Sequence, residues 1–189
     1  MKESSLLNLY AALIHYPVKD KNGEIIASAV TNLDLHDIAR AAKTYGLRSF
    51  YVVTPLEDQQ ELVQRIIAHW ITGGGSKYNP TRGLALELIE VKSTLEQVAA
   101  DITRSAGSAP KMVVTSARNA AGNLSYGRLK AMLATGSPYL LLFGTAWGLA
   151  EEFIQAADYR LDPLLGPTDY NHLSVRCAAA VIFDRLLGR

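Results

Sequence analysis

With one cysteine, Cys177, the chain has no partner for an internal disulfide and no multi-cysteine metal site. The histidines His15, His36, His69 and His172 lack metal-ligand spacing with one another, so no metal is expected. No apolar run approaches the roughly 20 residues a membrane span requires. The N-terminal run Leu9 to Ile14 has Glu3 and Asn8 upstream and meets no small-residue cleavage site before Pro17. The expectation is a cytoplasmic, non-secreted protein with no membrane association. Net charge is only +1, which confines any RNA or DNA surface to a local patch. Phosphate fingerprints are missing as well. GTAWGL is not GxGxxG, and the triplet Gly73-Gly74-Gly75 before Ser76-Lys77 lacks P-loop spacing, so it reads as a helix stop and flexible hinge.

What is present is an ordinary globular composition, 49% hydrophobic and 20% charged, in a length that suits one domain over residues 1–189. Strands and helices alternate. Leu9 to His15, Ser49 to Val53, Leu84 to Val91, Pro110 to Thr115 and Tyr139 to Phe143 read as strands; Ile25 to Thr31 either pairs back as a hairpin or leads into the next loop. A helix follows Thr31 with Leu35, Ile38, Ala39 and Ala42 on one face, Asp34 as N-cap and Gly46 past its end. A second carries Leu62, Val63, Ile66, Ile67 and Trp70, and Ser76 to Gly83 reads as a loop. Ser93 to Glu96 reads as a capping box opening a third, and Leu129, Met132 and Leu133 mark a fourth. The economical architecture is α/β, a mainly parallel sheet with helices on both faces. Ligands in such sheets bind beyond the carboxyl ends of strands. Three loops occupy that position: Thr115 to Asn119, Phe143 to Gly148, and Pro163 to Leu173.

The combination of FGTAWGL, a Leu-Asp-Pro-Leu-Leu-Gly turn and YNHLSVRCAAAVIFDRL resembles the SPOUT superfamily of S-adenosylmethionine-dependent RNA methyltransferases. More narrowly it resembles a small stand-alone branch related to the tRNA (guanine-N1)-methyltransferases, and TNLDLHDIARAAKTYG and SKYNPTRG fit that branch too. Ala146 and Cys177 depart from the pattern, standing where glycine and serine are usual. The resemblance implies a C-terminal trefoil knot, S-adenosylmethionine as cofactor with S-adenosylhomocysteine as product, RNA as partner and substrate, and three loops closing on the cofactor. Gly144, Gly148 and Gly166 then allow close main-chain approach. Leu142, Leu164, Leu165 and Leu173 supply apolar walls for the adenine, and Thr115, Ser116, Ala117, Phe143, Thr145, Ser174 and Ala178 line the rest. Gly166→Val is expected to restrict the turn and enter the adenine space.

Methyl transfer to guanine N1 or a similar nitrogen needs a group that accepts a proton and a cation beside developing charge. Asp34 and Asp169, with Arg82 and Arg118, are the candidates in suitable loops. Asp34 and Arg82 are preferred as catalytic groups, with Asn32, Asn79 and Arg118 meeting the RNA. Arg40, Lys43, Arg48, Lys77, Arg128 and Lys130 add local positive charge. Cys177, in a Cys-Ala-Ala-Ala run, reads as a small buried residue. The last helix, apolar nearly all round through Val175, Ala178, Ala179, Val181, Ile182, Leu186 and Leu187, predicts a homodimer. Two competing readings remain: a non-catalytic RNA-binding protein that keeps this fold, disfavoured by the cofactor-loop glycines, and a Rossmann-like nucleotide enzyme, disfavoured by the missing GxGxxG.

Overall fold

A computed structural model describes residues 7–189. Strand β1 (Leu9–Ile14) is buried along its whole length, because it is a central strand with neighbours on either edge and helices over both faces. The tight turn at Asp20 to Gly23, where Asp20 Oδ1 accepts from the backbone N–H groups of Asn22 and Glu24, closes a hairpin of β2 (Val18–Lys19) and β3 (Ile25–Ile26). The returning strand pairs with β2 and not with β1, whose two edges are already taken by β4 (Phe50–Val53) and β7 (Tyr139–Gly144).

Helix α1 (Asn32–Tyr45) is capped by Thr31, whose hydroxyl accepts from the Asp34 N–H at 3.2 Å. Asp34 is therefore not the N-cap expected from its position. It sits three residues in, where its carboxylate accepts the Thr31 hydroxyl at 2.6 Å and favours the positive helix end. Gly46 ends the helix in the left-handed region.

The largest departure from expectation follows α2 (Glu57–Ile71). Residues 76–83 are not a loop, and 84–91 is not a strand throughout. Two short helices, α3 (Gly74–Tyr78) and α4 (Pro80–Leu86), precede β5 (Ile89–Lys92). Asn79 explains the second: its side chain accepts from the Arg82 N–H, and Pro80 stands at the first helical position where no amide hydrogen is needed. The apolar run at Leu84 to Leu86 is thus a helical segment, with Ala85 and Leu86 buried. Nor is the glycine triplet a hinge. A Cβ on Gly75 would lie 2.6 Å from the Trp70 ring and one on Gly83 2.7 Å from the Trp70 carbonyl oxygen, so both glycines let α3 and α4 close on α2.

Helix α5 (Leu95–Ala106) begins one residue later than the expected capping box. Thr94 caps it, and Gln97 Oε1 accepts from the Ser93 N–H. Then come β6 (Lys111–Val114), α6 (Tyr126–Leu133), β7, α7 (Glu151–Ala156), β8 (Tyr159–Arg160) and α8 (Val175–Leu187). All six strands of the main sheet run parallel in the order β5-β4-β1-β7-β6-β8. Numbered along the chain among themselves, that order is 3-2-1-5-4-6. Dinucleotide-binding folds run 3-2-1-4-5-6. The fourth and fifth strands have changed places, which removes the Rossmann-like alternative.

One face of the sheet carries α1, α2, α4, α6 and α8 and the other carries α5 and α7, each with its own apolar cluster. Helix α8 is better covered than its sequence suggests. Ala179, Ile182, Phe183 and Leu186 are buried as α8 packs on α1, α6 and β7, with the Phe183 and Phe143 rings edge to face at 5.8 Å. Packing on α1, α6 and β7 thus covers part of its apolar surface within the chain. Cys177, expected to be buried, is exposed on its outer side. No helix among the described residues is long and apolar enough to cross a membrane.

Candidate functional site

Of the three loops beyond the carboxyl ends of strands, polar contacts join the 115–119 loop to the 163–173 loop, while the 143–148 loop is bonded to the end of β1 and to the hairpin. The loop after β6 starts at Thr115, whose N–H and hydroxyl both donate to the Leu142 carbonyl on β7. Arg160, at the end of β8, reaches across to the same loop, donating from Nη2 to the Arg118 carbonyl at 3.0 Å and the Ser116 hydroxyl at 3.3 Å. Asn171, from the loop after β8, donates to the Ala117 carbonyl at 2.9 Å. Between Leu164 and Leu173, by contrast, no backbone N–H is bonded to another backbone group. This stretch ends on Ser174, the N-cap of α8. Leu165 and Leu173 are 63% and 52% exposed, and Gly166 has no neighbour within 4 Å of where a Cβ would be. Free main-chain groups beside exposed leucines are what a flat, weakly polar base with a hydrogen-bonding edge requires.

The middle loop is held from below. Thr145 donates its hydroxyl to the Ile14 carbonyl and is also hydrogen-bonded to the Ser28 hydroxyl, which lies 3.0 Å from His15 Nδ1. His15 is fully buried, and burial pushes its pKa down to about 4, with Asp34 opposing the shift. The imidazole is neutral at physiological pH. The hairpin clamps the same loop from the side, through the Lys19 N–H to the Gly148 carbonyl and the Trp147 N–H to the Lys19 carbonyl. Gly148 and Ala146 both take positive φ, and a Cβ on Gly144 would sit 2.6 Å from the Leu149 nitrogen. That last glycine is required by the closeness of the loop to its own strand.

Sequence reasoning picked out Asp34 as a candidate but missed what holds it. Arg176, in the first turn of α8, donates from Nη1 to Asp34 Oδ1 at 3.2 Å and lies near Asp37 through Nε, at 3.5 Å. With Thr31 on the other oxygen, the Asp34 carboxylate is oriented from two sides while 7% exposed. Arg176 stood within the quoted YNHLSVRC stretch, but nothing in its spacing points to a carboxylate 142 residues away. Arg160, Asn171, Ser28 and His15 were missed for the same reason, since each contact is made only in three dimensions. Arg82 lies with its guanidinium 4.6 Å from the Trp70 ring centroid, and Asn79 is spent on capping α4. Asn32 and Arg118 are exposed. The Leu142 side chain is fully buried in the core and offers no open surface; Phe143 and Thr145 are likewise turned inward. Leu164 packs partly into the core, which leaves Leu165 and Leu173 as the open apolar surfaces.

A family model described as SAM-dependent RNA methyltransferase matches residues 8–188. A relative named tRNA (guanine-N(1)-)-methyltransferase from Oleidesulfovibrio alaskensis is 46% identical over 181 residues, which cover 96% of this chain and 42% of the relative. A protein of Aquifex aeolicus is 40% identical over 183 residues, covering 96% of this chain and 89% of that one. The chain thus spans about two fifths of the length of the first and most of the second. Among solved structures, the SpoU methyltransferase AviRb from Streptomyces viridochromogenes, in complex with the cofactor AdoMet, superposes with a TM-score of 0.57 at 17% identity, over 94% of this chain and 56% of that one. At that identity the likeness establishes the fold.

Proposed function

Because the chain belongs to the SAM-dependent RNA methyltransferase family, we propose that it transfers a methyl group from S-adenosylmethionine to a base of tRNA or rRNA, at guanine N1 or a similar nitrogen. The observation that carries this reading is the junction of the 115–119 and 163–173 loops at the carboxyl edge of the sheet, with free main-chain groups and exposed Leu165 and Leu173 around an open Gly166. Those residues fit an adenosyl group: the leucines flank the ring, the unbonded N–H and C=O groups between Leu164 and Leu173 meet its polar edge, and Gly144 and Gly148 keep the middle loop low. The cofactor, when bound, supplies an electrophilic methyl on a sulfonium. The tasks left to the chain are alignment and handling of a proton.

Asp34 is the proposed acceptor of that proton or the group that orients the base. Its orientation by Thr31 and Arg176 supports a fixed carboxylate, and Arg176 couples it to the helix that begins where the cofactor loop ends. Asn32 and Arg118, both exposed, are placed to meet RNA, and Arg82 to meet a phosphate or developing negative charge. The relative's name belongs to a protein more than twice as long, so the atom methylated is decided by experiment. The purified chain is incubated with labelled cofactor and unmodified RNA, and the RNA is digested to nucleosides for mass analysis. Label in 1-methylguanosine supports the reading as written, label in another base keeps the methyltransferase and moves the atom, and no label in any RNA removes it.

Two structural features complete the proposal. The resemblance implies that the segment leading into α8 is threaded as a trefoil knot, and the packing of α8 on α1 and β7 supports it; an experimental trace of residues 161–174 passing outside the 143–148 loop would remove the knot. A homodimer through α8 is supported by exposed Cys177 and 37% exposed Val181, four residues apart on one side of the helix. Light scattering showing a monomer at micromolar concentration would count against it.

A further inference from the structure

Away from the three loops, the flank of α1 and the short helix α4 enclose an open groove of about 470 Å³ lined by Arg40, Lys43, Thr44, Asn79, Thr81, Arg82 and Ala85. Three cations converge there with no carboxylate in the lining. Among the described residues none of the three is ion-paired, although most other charged side chains near α1 are: Asp34 and Asp37 are both taken by Arg176. The groove is built, and not merely a solvated face. Gly83 and Gly75 bring α4 and α3 onto Trp70, Asn79 and Pro80 start α4 at the right point, and the Trp70 ring then carries the Arg82 guanidinium at 4.6 Å. Burial and then the positive charge of Arg82 hold the pKa of nearby His36 down, with Arg40 adding to the shift and Asp37 opposing it. Lys43 is shared with a second hollow of about 450 Å³ at the amino ends of the strands, lined also by Arg48, Ser49 and Ser105. Positive and hydroxyl-bearing side chains therefore continue along α1 and round its end.

We propose that the α1–α4 groove is a phosphate-binding track for the RNA backbone, separate from the cofactor loops, in which Arg40, Lys43 and Arg82 contact successive phosphates of the RNA whose base is presented to the site. The inference rests on the reading of the chain as an RNA methyltransferase. Its chemistry is that of backbone recognition: cations that displace condensed counterions and hydroxyls that donate to phosphate oxygens, giving affinity and position but no sequence preference. On a chain of net charge +1 such a track must be local, and the lining of this groove holds three cations and no carboxylate.

The test uses the full chain and an unmodified tRNA transcript as probe. RNA affinity is measured from 50 to 200 mM KCl for the wild type, for Arg40→Gln/Lys43→Gln, and for the control Arg128→Gln/Lys130→Gln on α6. SAM affinity and melting temperature are measured alongside. Arg40 and Lys43 are exposed, so the fold is expected to survive. Each phosphate contact contributes roughly 0.7–0.9 to the slope of log K against log salt. The groove variant should therefore lose about 1.5 in slope and roughly tenfold or more in RNA affinity at 100 mM, with SAM binding and melting temperature unchanged and the control close to wild type. Equal losses in the groove variant and the control, or no loss in either, overturn the track while leaving the methyltransferase reading in place. A wild type that binds SAM but no tRNA, while binding inorganic phosphate in the groove, overturns the RNA assignment. A wild type that binds neither SAM nor RNA overturns the reading and the inference together.

Discussion

Acidification is expected to loosen this protein through one side chain. His15 is buried at the carboxyl end of β1 with its Nε2 unpartnered and its Nδ1 against Ser28, and burial lowers its pKa from 6.5 to about 4. The unfolded chain keeps the ordinary value, so between pH 6.5 and 4 the unfolded state binds more protons than the folded one. Stability attributable to His15 is thus full above pH 6.5 and lost as pH falls through that window. A shift of this size is about 3 kcal/mol in total at 1.36 kcal/mol per pKa unit, of which about 2 kcal/mol is already gone at pH 5. Carboxylates also titrate in this range, so the measurement is a difference. Urea unfolding at pH 7.5, 6, 5 and 4.5 is compared between the wild type and His15→Gln, which keeps a polar group beside Ser28 but has no charge to acquire. The wild type should lose about 2 kcal/mol more than the variant between pH 7.5 and 5, or roughly 1 M in urea midpoint. Because Ser28 links His15 to Thr145 in the middle loop, SAM affinity should fall over the same pH range in the wild type. Parallel pH dependences in the two proteins would refute the argument.

Three further outcomes follow from the site. Gly144→Ala places a Cβ 2.6 Å from the Leu149 nitrogen and 2.9 Å from the Gly148 carbonyl carbon, both backbone atoms, so it should cost about 1–3 kcal/mol and weaken SAM binding; an unchanged melting curve contradicts it. Gly166→Val should leave stability untouched, because its φ is not positive and its surroundings are open. The expected restriction of the turn therefore drops out, and the variant blocks SAM by occupying space alone; unchanged calorimetric affinity removes the adenine from this loop. Asp34→Asn should keep the bond from Thr31, give up the ion pair with Arg176 at a cost of about 1–2 kcal/mol, and abolish methyl transfer to the cognate RNA. Full activity in both Asp34→Asn and Arg82→Ala would make the starts of α1 and α4 scaffolding and move attention to Arg118 and Asp169.

Legibility in the sequence tracked the range of the interaction. The parallel sheet was readable because β1 and β7 are unbroken apolar runs, and burial on both faces demands such runs. The positions of the three loops followed from strand ends marked by local residues such as Gly144, and the start of α8 from Ser174. The segment 74–86 was misread because its helices are short and built by close approach to Trp70: glycines that break an isolated helix are required where another backbone must come within contact distance.

Local composition thus determined the class of fold, the positions of the loops at the carboxyl edge of the sheet, and, with the motifs FGTAWGL and YNHLSVRC, the family. Tertiary structure alone decided the rest. Strand order had to be seen, since exchanging the fourth and fifth strands changes no residue's preference for being a strand. The Asp34–Arg176 pair joins residues 142 apart, the Thr145–Ile14 bond residues 131 apart, and the α1–α4 groove two helices separated by all of β4, α2 and α3. A side chain's neighbours along the chain are set by sequence, but its electrostatic partners are set by which elements pack together, and that is decided by the burial of the whole sheet rather than by any segment of it.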